Sequence, residues 1–567
     1  MRVRLPSELG SSFLRDQRGT TVAFFAVGLV PLLAAIGAAV DYTGAVNRRI
    51  HLQAAVDSAA VRGCKDIQTT NVATAKTNML STFNGIYKDS ATFTSDVTTS
   101  VAAGTVKADA STTYKVQLGA LVGLSNVPLH AHSECEYANN TYEIAMAIDN
   151  SGSMGETAGA KTKIQAARDS AKLLVDALYS GAMSSSRIKM SIVPFNLSVN
   201  VGSEYRTASW VDSAAQSSAH WDNFNYQSSP WKPANRFTLF DELSITFGGC
   251  FETRPGNFAI TDTGVTPSQP DSYFVPQFAP DDPGPASSSS NTYTFRQNGN
   301  GSNVSYSYAN SYIADRTSGG GGGVCQTDTH SDYQVDKAQT KLCKYKGNPT
   351  KDISNSRGPN FMCNGKPIMR MSNDATALKA KIDTMVAAGG TNIFEGFMWA
   401  WRTISPNGPF ADGRAYGQQP VGQPNNVKVL IILTDGVHDW GDLNNPNKSY
   451  FSPAGYAQNT VWDQSTSTFK KVSRFKPLDT STGPLGDVAM DNRLQAGCTN
   501  AKAQGIIVYT IGFAQRESDV NSTLLKNCAS NSADTNQPQY YYAANSTDVE
   551  KVFKDIANRL SELRLTK

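Results

Sequence analysis

Residues 143–153 read Glu-Ile-Ala-Met-Ala-Ile-Asp-Asn-Ser-Gly-Ser, so a short apolar run ends at an aspartate and a polar turn. A short run that is almost continuously apolar is typical of a strand buried on both faces of a parallel sheet. Farther along, from Ile164 to Leu178, apolar residues recur at three- and four-residue spacing, which indicates a helix. The stretch therefore predicts a buried strand, a polar loop and a helix that covers the sheet.

The same alternation continues toward the carboxyl terminus. Nearly continuous apolar strands that alternate with helices indicate a parallel sheet covered on both faces. The predicted fold class is therefore α/β, with a doubly wound, mostly parallel sheet. The further predicted segments are a strand at 188–193, a helix at 375–388, strands at 427–433 and 506–511 with a helix at 487–504 between them, a strand at 540–543 and a helix at 549–560.

Two long stretches interrupt this alternation within the predicted domain, which spans 141–560. Residues 196–372 are rich in Ser, Asn, Gly, Pro and aromatic residues and include Gly319–Gly323, and residues 437–486 form a shorter interruption. Loops of such length are seldom structureless inside a compact domain. We therefore expect insertions, the first with ordered parts and a disordered Gly/Ser tract.

No charged residue occurs from Thr20 to Val40, and about twenty such residues cross the ~30 Å hydrocarbon layer. A cleaved signal peptide would have a shorter apolar region. We therefore predict a transmembrane helix at 19–41 that continues as a helix toward Cys64. Arginines on the amino-terminal side favour a cytoplasmic segment at 1–18, although Arg48 and Arg49 weaken that argument. Residues 42–140, with strand-like alternation near Thr113–Leu118, are predicted to form a small α+β stalk.

All eight cysteines follow the apolar segment, and none has the CxxC spacing of a metal site. An even number on one side of a membrane indicates disulfides in an oxidising compartment, and eight free thiols are the alternative. The predicted pairs at the two ends are Cys64–Cys135 and Cys498–Cys528. The four cysteines of the long insertion allow three connectivities, of which Cys250–Cys363 around Cys325–Cys343 is preferred.

Composition excludes several classes of protein. The chain has 567 residues, of which 17% are charged, and its formal net charge is +3. This balance gives no strong positive field for a phosphate backbone, so no nucleic-acid partner is expected. The apolar content of 40% permits one membrane anchor and not a polytopic membrane protein.

Three separated pieces carry oxygen ligands: Asp149–Ser153, Gly390–Asn392 and Thr434–Gly436. The first and third follow apolar strands directly, where open α/β sheets place their ligand sites. Two carboxylates and three hydroxyls are hard oxygen donors of the kind that Mg²⁺ prefers, and they would leave a position for an outside carboxylate. Each piece alone is often only a turn or a helix N-cap.

In this order, DNSGS (149–153), GGT (389–391) and TDG (434–436) resemble the metal-ion-dependent adhesion site (MIDAS) of von Willebrand factor type A (VWA) domains. The resemblance implies that Mg²⁺, or Mn²⁺ or Ca²⁺, binds there and bridges to a carboxylate of a partner protein. The ligands that it implies are Asp149, Ser151, Ser153, Thr391 and Asp435.

The amino-terminal stretch RGTTVAFFAVGLVPLLAAIGAAVDYTGAVNRRIHLQAAVDSAA (18–60) is similar to the TadE/TadG-like leader of tight-adherence (Flp) pilus-assembly proteins. A leader of this kind with a carboxyl-terminal adhesion-type domain resembles TadG-type proteins, as do GGTNIFEGFMWAWRTISP and FKDIANRLSELRL. Phe24 stands where substrates of the prepilin peptidase typically carry Glu, which favours a permanent anchor over a processed pilin. The resemblance implies a bacterial inner-membrane protein with most of its chain in the periplasm or at the cell surface.

The function expected is metal-dependent protein–protein binding in pilus assembly, with other pilus or envelope proteins as partners and no small-molecule substrate. A cell-surface adhesin that uses the same site is the alternative. A phosphatase is the weaker one, because Ser151 occupies the place of the second carboxylate that a nucleophilic Asp149 would need. Ser153 lacks a GxSxG context, and His438 is interpreted as a loop histidine, so no enzyme is expected. Trp399 and Trp401 are expected to pack in the core rather than to form one binding platform.

Overall fold

The computed structural model describes most of the chain in separate ranges, and two compact units divide it near residue 139. The described residues are 20–67, 70–99, 103–123, 125–138, 140–179, 187–226, 229, 231–283, 292–296, 303–313, 339–354, 356–417, 425–441, 443–463, 468–472, 474 and 485–562.

The first unit consists of two helices and a three-stranded antiparallel sheet in the order β1-β2-β3. Its elements are α1 (Thr20–Asp66), α2 (Val72–Ile86), β1 (Thr92–Thr99), β2 (Ala103–Tyr114) and β3 (Val127–Ala138). One face of the sheet, with Val106, Ala108 and Leu129, packs on the buried sides of the helices. The disulfide Cys64–Cys135 joins α1 to β3.

Helix α1 continues without a break from the apolar segment into the folded part of the first unit. It is long and apolar enough to cross a membrane, and its apolar side chains are largely exposed, as at Phe24, which is 77% exposed. Exposed apolar side chains suit contact with lipid. The helix therefore fits a single-pass membrane protein, as the uncharged span predicts. The arginines at 2, 4, 15 and 18 lie outside the described residues.

The second unit is a six-stranded mixed sheet in the order β6-β5-β4-β7-β8-β9, in which only β6 is antiparallel to its neighbour. Its main elements are β4 (Thr141–Asp149), α3 (Lys163–Tyr179), β5 (Ile188–Phe195), α4 (Arg236–Glu242), β6 (Met369–Ser372), α5 (Ala375–Asp383), α6 (Ile393–Ile404), β7 (Asn426–Thr434), α7 (Leu485–Ala503), β8 (Ile507–Phe513), α8 (Ser522–Cys528), β9 (Tyr540–Ala543) and α9 (Ser546–Glu562).

Every residue of the central strand β4 is buried because helices cover both faces of this sheet. Ile144, Met146 and Ile148 pack in a core with α3, α5 and α9. Ala145 and Ala147 point the other way, into a core with α6 and α7. The predicted α/β class and the predicted mostly parallel sheet are confirmed.

Two differences from the sequence prediction affect the loop to Thr391 and the edge of the sheet. The helix predicted at 375–388 ends at Asp383, and the residues after it form the loop that leads to Thr391. Strand β6 lies inside the predicted insertion 196–372, where its four residues pair with β5 at the edge of the sheet. A strand of four residues is too short to show an alternation of apolar and polar residues that could be detected in the sequence.

The described parts of the long insertion belong to the core. Trp210 packs edge to face against both Phe251 and Phe274, and Phe274 also contacts Trp399 of α6. Trp399 and Trp401 are both 1% exposed, so the prediction that they pack in the core is confirmed. Short antiparallel pairs lie at Thr157–Ala158 with Lys161–Thr162, Thr292–Arg296 with Asn303–Ser307, and Asn459–Asp463 with Thr468–Val472.

Two disulfides fasten the second unit. Cys250–Cys363 joins distant parts of the insertion, and Cys498–Cys528 joins α7 to α8. Together with Cys64–Cys135, these are three of the four pairs predicted from the sequence. The fourth includes Cys325, which lies outside the described residues.

Candidate metal-binding site

The first and third predicted pieces meet because β4 and β7 are adjacent parallel strands in register. Ile148 lies opposite Leu433, so Asp149 ends one strand beside Thr434, the last residue of the other. The Thr434 hydroxyl donates to Asp149 Oδ2 at 2.7 Å. The carboxyl edge of the sheet thus brings Asp149 and Asp435 into one buried cluster, with side chains that are nearly inaccessible.

The serine hydroxyls of the loop after β4 face Asp435. Ser153 Oγ donates to Asp435 Oδ1 at 2.8 Å, and Ser151 Oγ lies 3.5 Å from the same oxygen. The two serine hydroxyl oxygens are 3.1 Å apart. The Ser151 amide donates to Asp149 Oδ1 at 2.7 Å, so the loop also fixes the first carboxylate. Four of the five predicted ligands therefore lie in one hydrogen-bonded group.

Thr391 reaches the same edge through its backbone. Gly389 has φ +81°, a conformation that glycine adopts without strain, and its carbonyl accepts from the Gly152 amide at 2.8 Å. Thr391 pairs with Asp439 through two backbone hydrogen bonds. The loop that carries Thr391 is therefore hydrogen-bonded on one side to the loop after β4 and on the other to the loop after β7. The structure gives the Thr391 hydroxyl no hydrogen bond to Asp149 or Asp435.

Lys163, which the sequence analysis did not select, is the cation of the site. Its Nζ donates to Asp435 Oδ2 at 2.8 Å and to Glu156 Oε2 at 2.9 Å, and its side chain is 6% exposed. Burial alone would lower the pKa of this ammonium, but the two ion pairs outweigh burial and raise it. The signal was present in the sequence, because Lys163 begins α3 on the same face as Ala167 and Ala171.

The pKa of Asp149 differs from that of an ordinary aspartate. Burial and the nearby charge of Asp435 raise the pKa of Asp149 to about 7, although the donors from Thr434 and Ser151 oppose the shift. The cost of two buried negative charges at the same edge is thus only partly offset by Lys163. A divalent cation would relieve it further.

Two further residues support the loops without being predicted as ligands. His438 is buried, with Nδ1 at 2.6 Å from Asp491 Oδ1, and its Nε2 accepts from the Phe394 amide at 3.1 Å. It thereby connects the loop after β7 to the first turn of α6, which agrees with its interpretation as a loop histidine. The backbone amide of Asn150 donates to the Phe195 carbonyl at 2.6 Å and its carbonyl accepts from the Ala388 amide at 2.7 Å, whereas its buried side-chain amide has no hydrogen-bond partner among the described residues.

The donor set fits a small, hard cation. Two carboxylates and two or three hydroxyls offer oxygen alone, as Mg²⁺ requires, and Asp435 Oδ1 faces the serine hydroxyls rather than Lys163. Within the described ranges, no group of three or more His, Cys, Asp or Glu side chains could hold a metal ion. Any metal bound here would therefore depend on the hydroxyls and on ligands from outside the chain.

The amino-terminal segment matches a known protein family. Residues 19–66 match the family described as "Flp pilus-assembly TadE/G-like", which confirms the resemblance seen in the leader sequence. This match covers the membrane helix and its extension. No curated protein matches the chain.

Several solved structures of pilus proteins are similar to this chain at low identity. The pilus adhesin SpaC from Lactobacillus rhamnosus GG is 10% identical over 84% of this chain and 35% of its own, with a TM-score of 0.30. The PilB minor pilin from Streptococcus sanguinis is 12% identical over 84% of this chain and 78% of its own, with a TM-score of 0.30. The vWF domain of the type V pili tip protein Mfa5 from Porphyromonas gingivalis is 10% identical over 76% of this chain and 97% of its own, with a TM-score of 0.31. Likenesses this distant carry no argument about the site.

Proposed function

We propose that the chain is a membrane-anchored VWA protein that acts in Flp/Tad-type pilus assembly through metal-dependent binding of a partner protein. The TadE/G-like match over residues 19–66 supports the pilus system and the anchor. The arrangement of Asp149, Ser151, Ser153 and Asp435 at the carboxyl edge of the sheet supports the binding role. The VWA assignment of the second unit belongs to the same proposal.

The charge of the site is the observation that carries the binding role. Asp149 and Asp435 contribute two negative charges when ionised, and Lys163 contributes one positive charge. The three groups together are negative, so they attract a divalent cation. With that cation the two aspartates and Lys163 are net positive, and with Glu156, which also pairs with Lys163, the cluster is neutral. A coordination position left open on the cation would favour a hard anionic ligand such as a carboxylate from a pilus or envelope protein. Asp149, Ser151, Ser153, Thr391 and Asp435 would hold Mg²⁺, and Mn²⁺ or Ca²⁺ offer the same hard-acid chemistry.

Binding rather than catalysis is the role proposed for this edge. Both ring nitrogens of His438 are engaged by Asp491 and the Phe394 amide, which leaves neither to activate Ser153. Lys428, near the start of β7, forms a buried ion pair with Glu143 at the opposite end of the strands. Neither residue is placed to assist hydrolysis at Asp149.

Complementation of a deletion strain tests this function. Asp149→Ala should abolish surface pili, counted by electron microscopy, while the protein remains at its normal level in the membrane. Asp176→Ala is the matched control, because Asp176 pairs with Lys379 on the exposed side of α3. Normal piliation with Asp149→Ala would contradict the proposal. Normal piliation with loss of surface attachment would instead support the adhesin alternative.

A further inference from the structure

One loop of the first unit lies beside the part of α1 that is expected to be inside the membrane. This loop, residues 114–122, connects β2 to the turn before β3 and ends in a 3-10 helix, Gly119–Val122. The sequence from 118 to 124 is Leu-Gly-Ala-Leu-Val-Gly-Leu, without a polar side chain.

Two glycines of α1 make room for the 114–122 loop. A Cβ on Gly37 would lie 3.0 Å from the Cβ of Leu118, and one on Gly44 would clash with the Tyr114 hydroxyl. The contact at Gly37 fixes the depth of the loop, because Gly37 precedes Asp41, the first charged residue after the apolar span, by four residues. At 1.5 Å per residue, Leu118 lies about 6 Å on the membrane side of that charge.

Asp41 satisfies the backbone of the loop at this depth. Its buried carboxylate accepts from the amides of Gln117, Leu118 and Gly119 at 3.0, 2.9 and 2.6 Å. An unsatisfied amide costs several kcal/mol in hydrocarbon, so irregular backbone enters a membrane only where its donors have partners. The Val116 amide, which donates to Asn126 Oδ1 at 3.1 Å, is satisfied as well.

After the exposed Gln117, the described side chains of the loop that face outward are apolar. Leu118 is 47% exposed, and Ala120 is exposed beside it. Lys115 and Arg49 are exposed, and Arg49 follows Asp41 on α1 on the side away from the apolar span, where lipid headgroups would lie. A loop whose amides at residues 116–119 are satisfied and whose next side chains are apolar suits the boundary between headgroups and acyl chains.

We propose that the 114–122 loop is a second membrane contact, which dips into the lipid beside α1 and fixes the first unit against the bilayer. This proposal rests on the proposed membrane anchor, and the partner of the exposed apolar part of the 114–122 loop is the lipid bilayer. Asp41 acts as the positioning residue, since it holds the three amides of the loop against the helix at the membrane boundary.

Nitroxide labels on the full-length chain in phospholipid nanodiscs test the contact. No cysteine is free in the described part of the chain, so a label can be attached through Ala120→Cys. Collision with oxygen, which concentrates in lipid, is compared with collision with a water-soluble nickel chelate. Leu33→Cys, on the exposed face of α1, is the lipid control, and Thr94→Cys, on an exposed position of β1, is the water control.

The label at 120 should collide with oxygen as the label at 33 does and be shielded from nickel. If it is as open to nickel as the label at 94, or shielded from both reagents, the loop does not contact lipid and the inference fails while the anchor stands. If the label at 33 is itself accessible to nickel, both the membrane anchor and the proposed loop contact are contradicted. Asp41→Asn should move the label at 120 toward water, whereas Asp57→Asn, on the exposed side of the same helix, should not.

Discussion

The ammonium group of Lys163 lies between Asp435 and Glu156, and its loss has different consequences with and without a metal ion. Lys163→Met leaves Asp435 buried without its counter-charge, which costs roughly 3 kcal/mol of unfolding free energy in EDTA. The same change makes the site more negative, so Mg²⁺ should bind more tightly and raise the melting temperature more than in the wild type. Thermal unfolding with EDTA and with MgCl₂ measures both effects.

Lys172→Met is the matched control for that experiment. Lys172 lies on the same helix and pairs with Asp383 at 2.8 Å, but on the partly exposed surface away from the site. It should change stability by less than about 1 kcal/mol and leave the effect of Mg²⁺ unaltered. A smaller Mg²⁺ effect in Lys163→Met than in the control would contradict the electrostatic account.

Asp149 makes Mg²⁺ binding dependent on pH. Its pKa of about 7 in the metal-free protein means that a proton competes with the cation below neutral pH. The dissociation constant should therefore be about tenfold higher at pH 6 than at pH 8, because the competing proton is mostly bound at the lower pH and mostly absent at the higher. Titration at the two pH values measures this ratio. A constant affinity, or tighter binding at pH 6, would contradict competition between the cation and a proton on Asp149.

At the scale of elements, the strand ends explain why the metal-site residues could be selected from the sequence. β4 and β7 are short, apolar and bounded by polar turns, so the strands and their carboxyl-terminal aspartates are visible without a structure. Lys163 was missed because a lysine at the start of a helix is ordinarily interpreted as exposed. The contact between Thr391 and Asp439 was missed because no local pattern encodes pairing between two loops.

In the insertion and in the first unit, several buried residues and contacts could not be predicted from sequence patterns. The aromatic residues of 196–372 pack around Trp399 without a regular period, so their burial follows from tertiary contacts and not from periodicity. Helix α2 has no strong apolar stripe and buries only Ala75, Met79 and Phe83. The role of Asp41 depends on three amides more than seventy residues away, which sequence spacing cannot reveal.

At the scale of the whole molecule, the disulfides and the anchor make one prediction about orientation. Cys64–Cys135, Cys250–Cys363 and Cys498–Cys528 all follow the apolar part of α1, and disulfides persist outside the cytoplasm. Alkaline phosphatase fused after residue 140 should therefore be active, whereas a reporter that works only in the cytoplasm should be silent there. The reverse pattern would place both units in the cytoplasm and contradict the proposed orientation.

We propose that the carboxyl edge of the second unit's sheet binds a divalent cation through Asp149 and Asp435. Calorimetric titration of the full-length protein in detergent with MgCl₂ tests it most directly, at pH 8, where Asp149 is ionised. We expect one binding event in the wild type and in Asp176→Ala, and none in Asp149→Ala. Absence of binding in the wild type, or equal binding in Asp149→Ala, would contradict it.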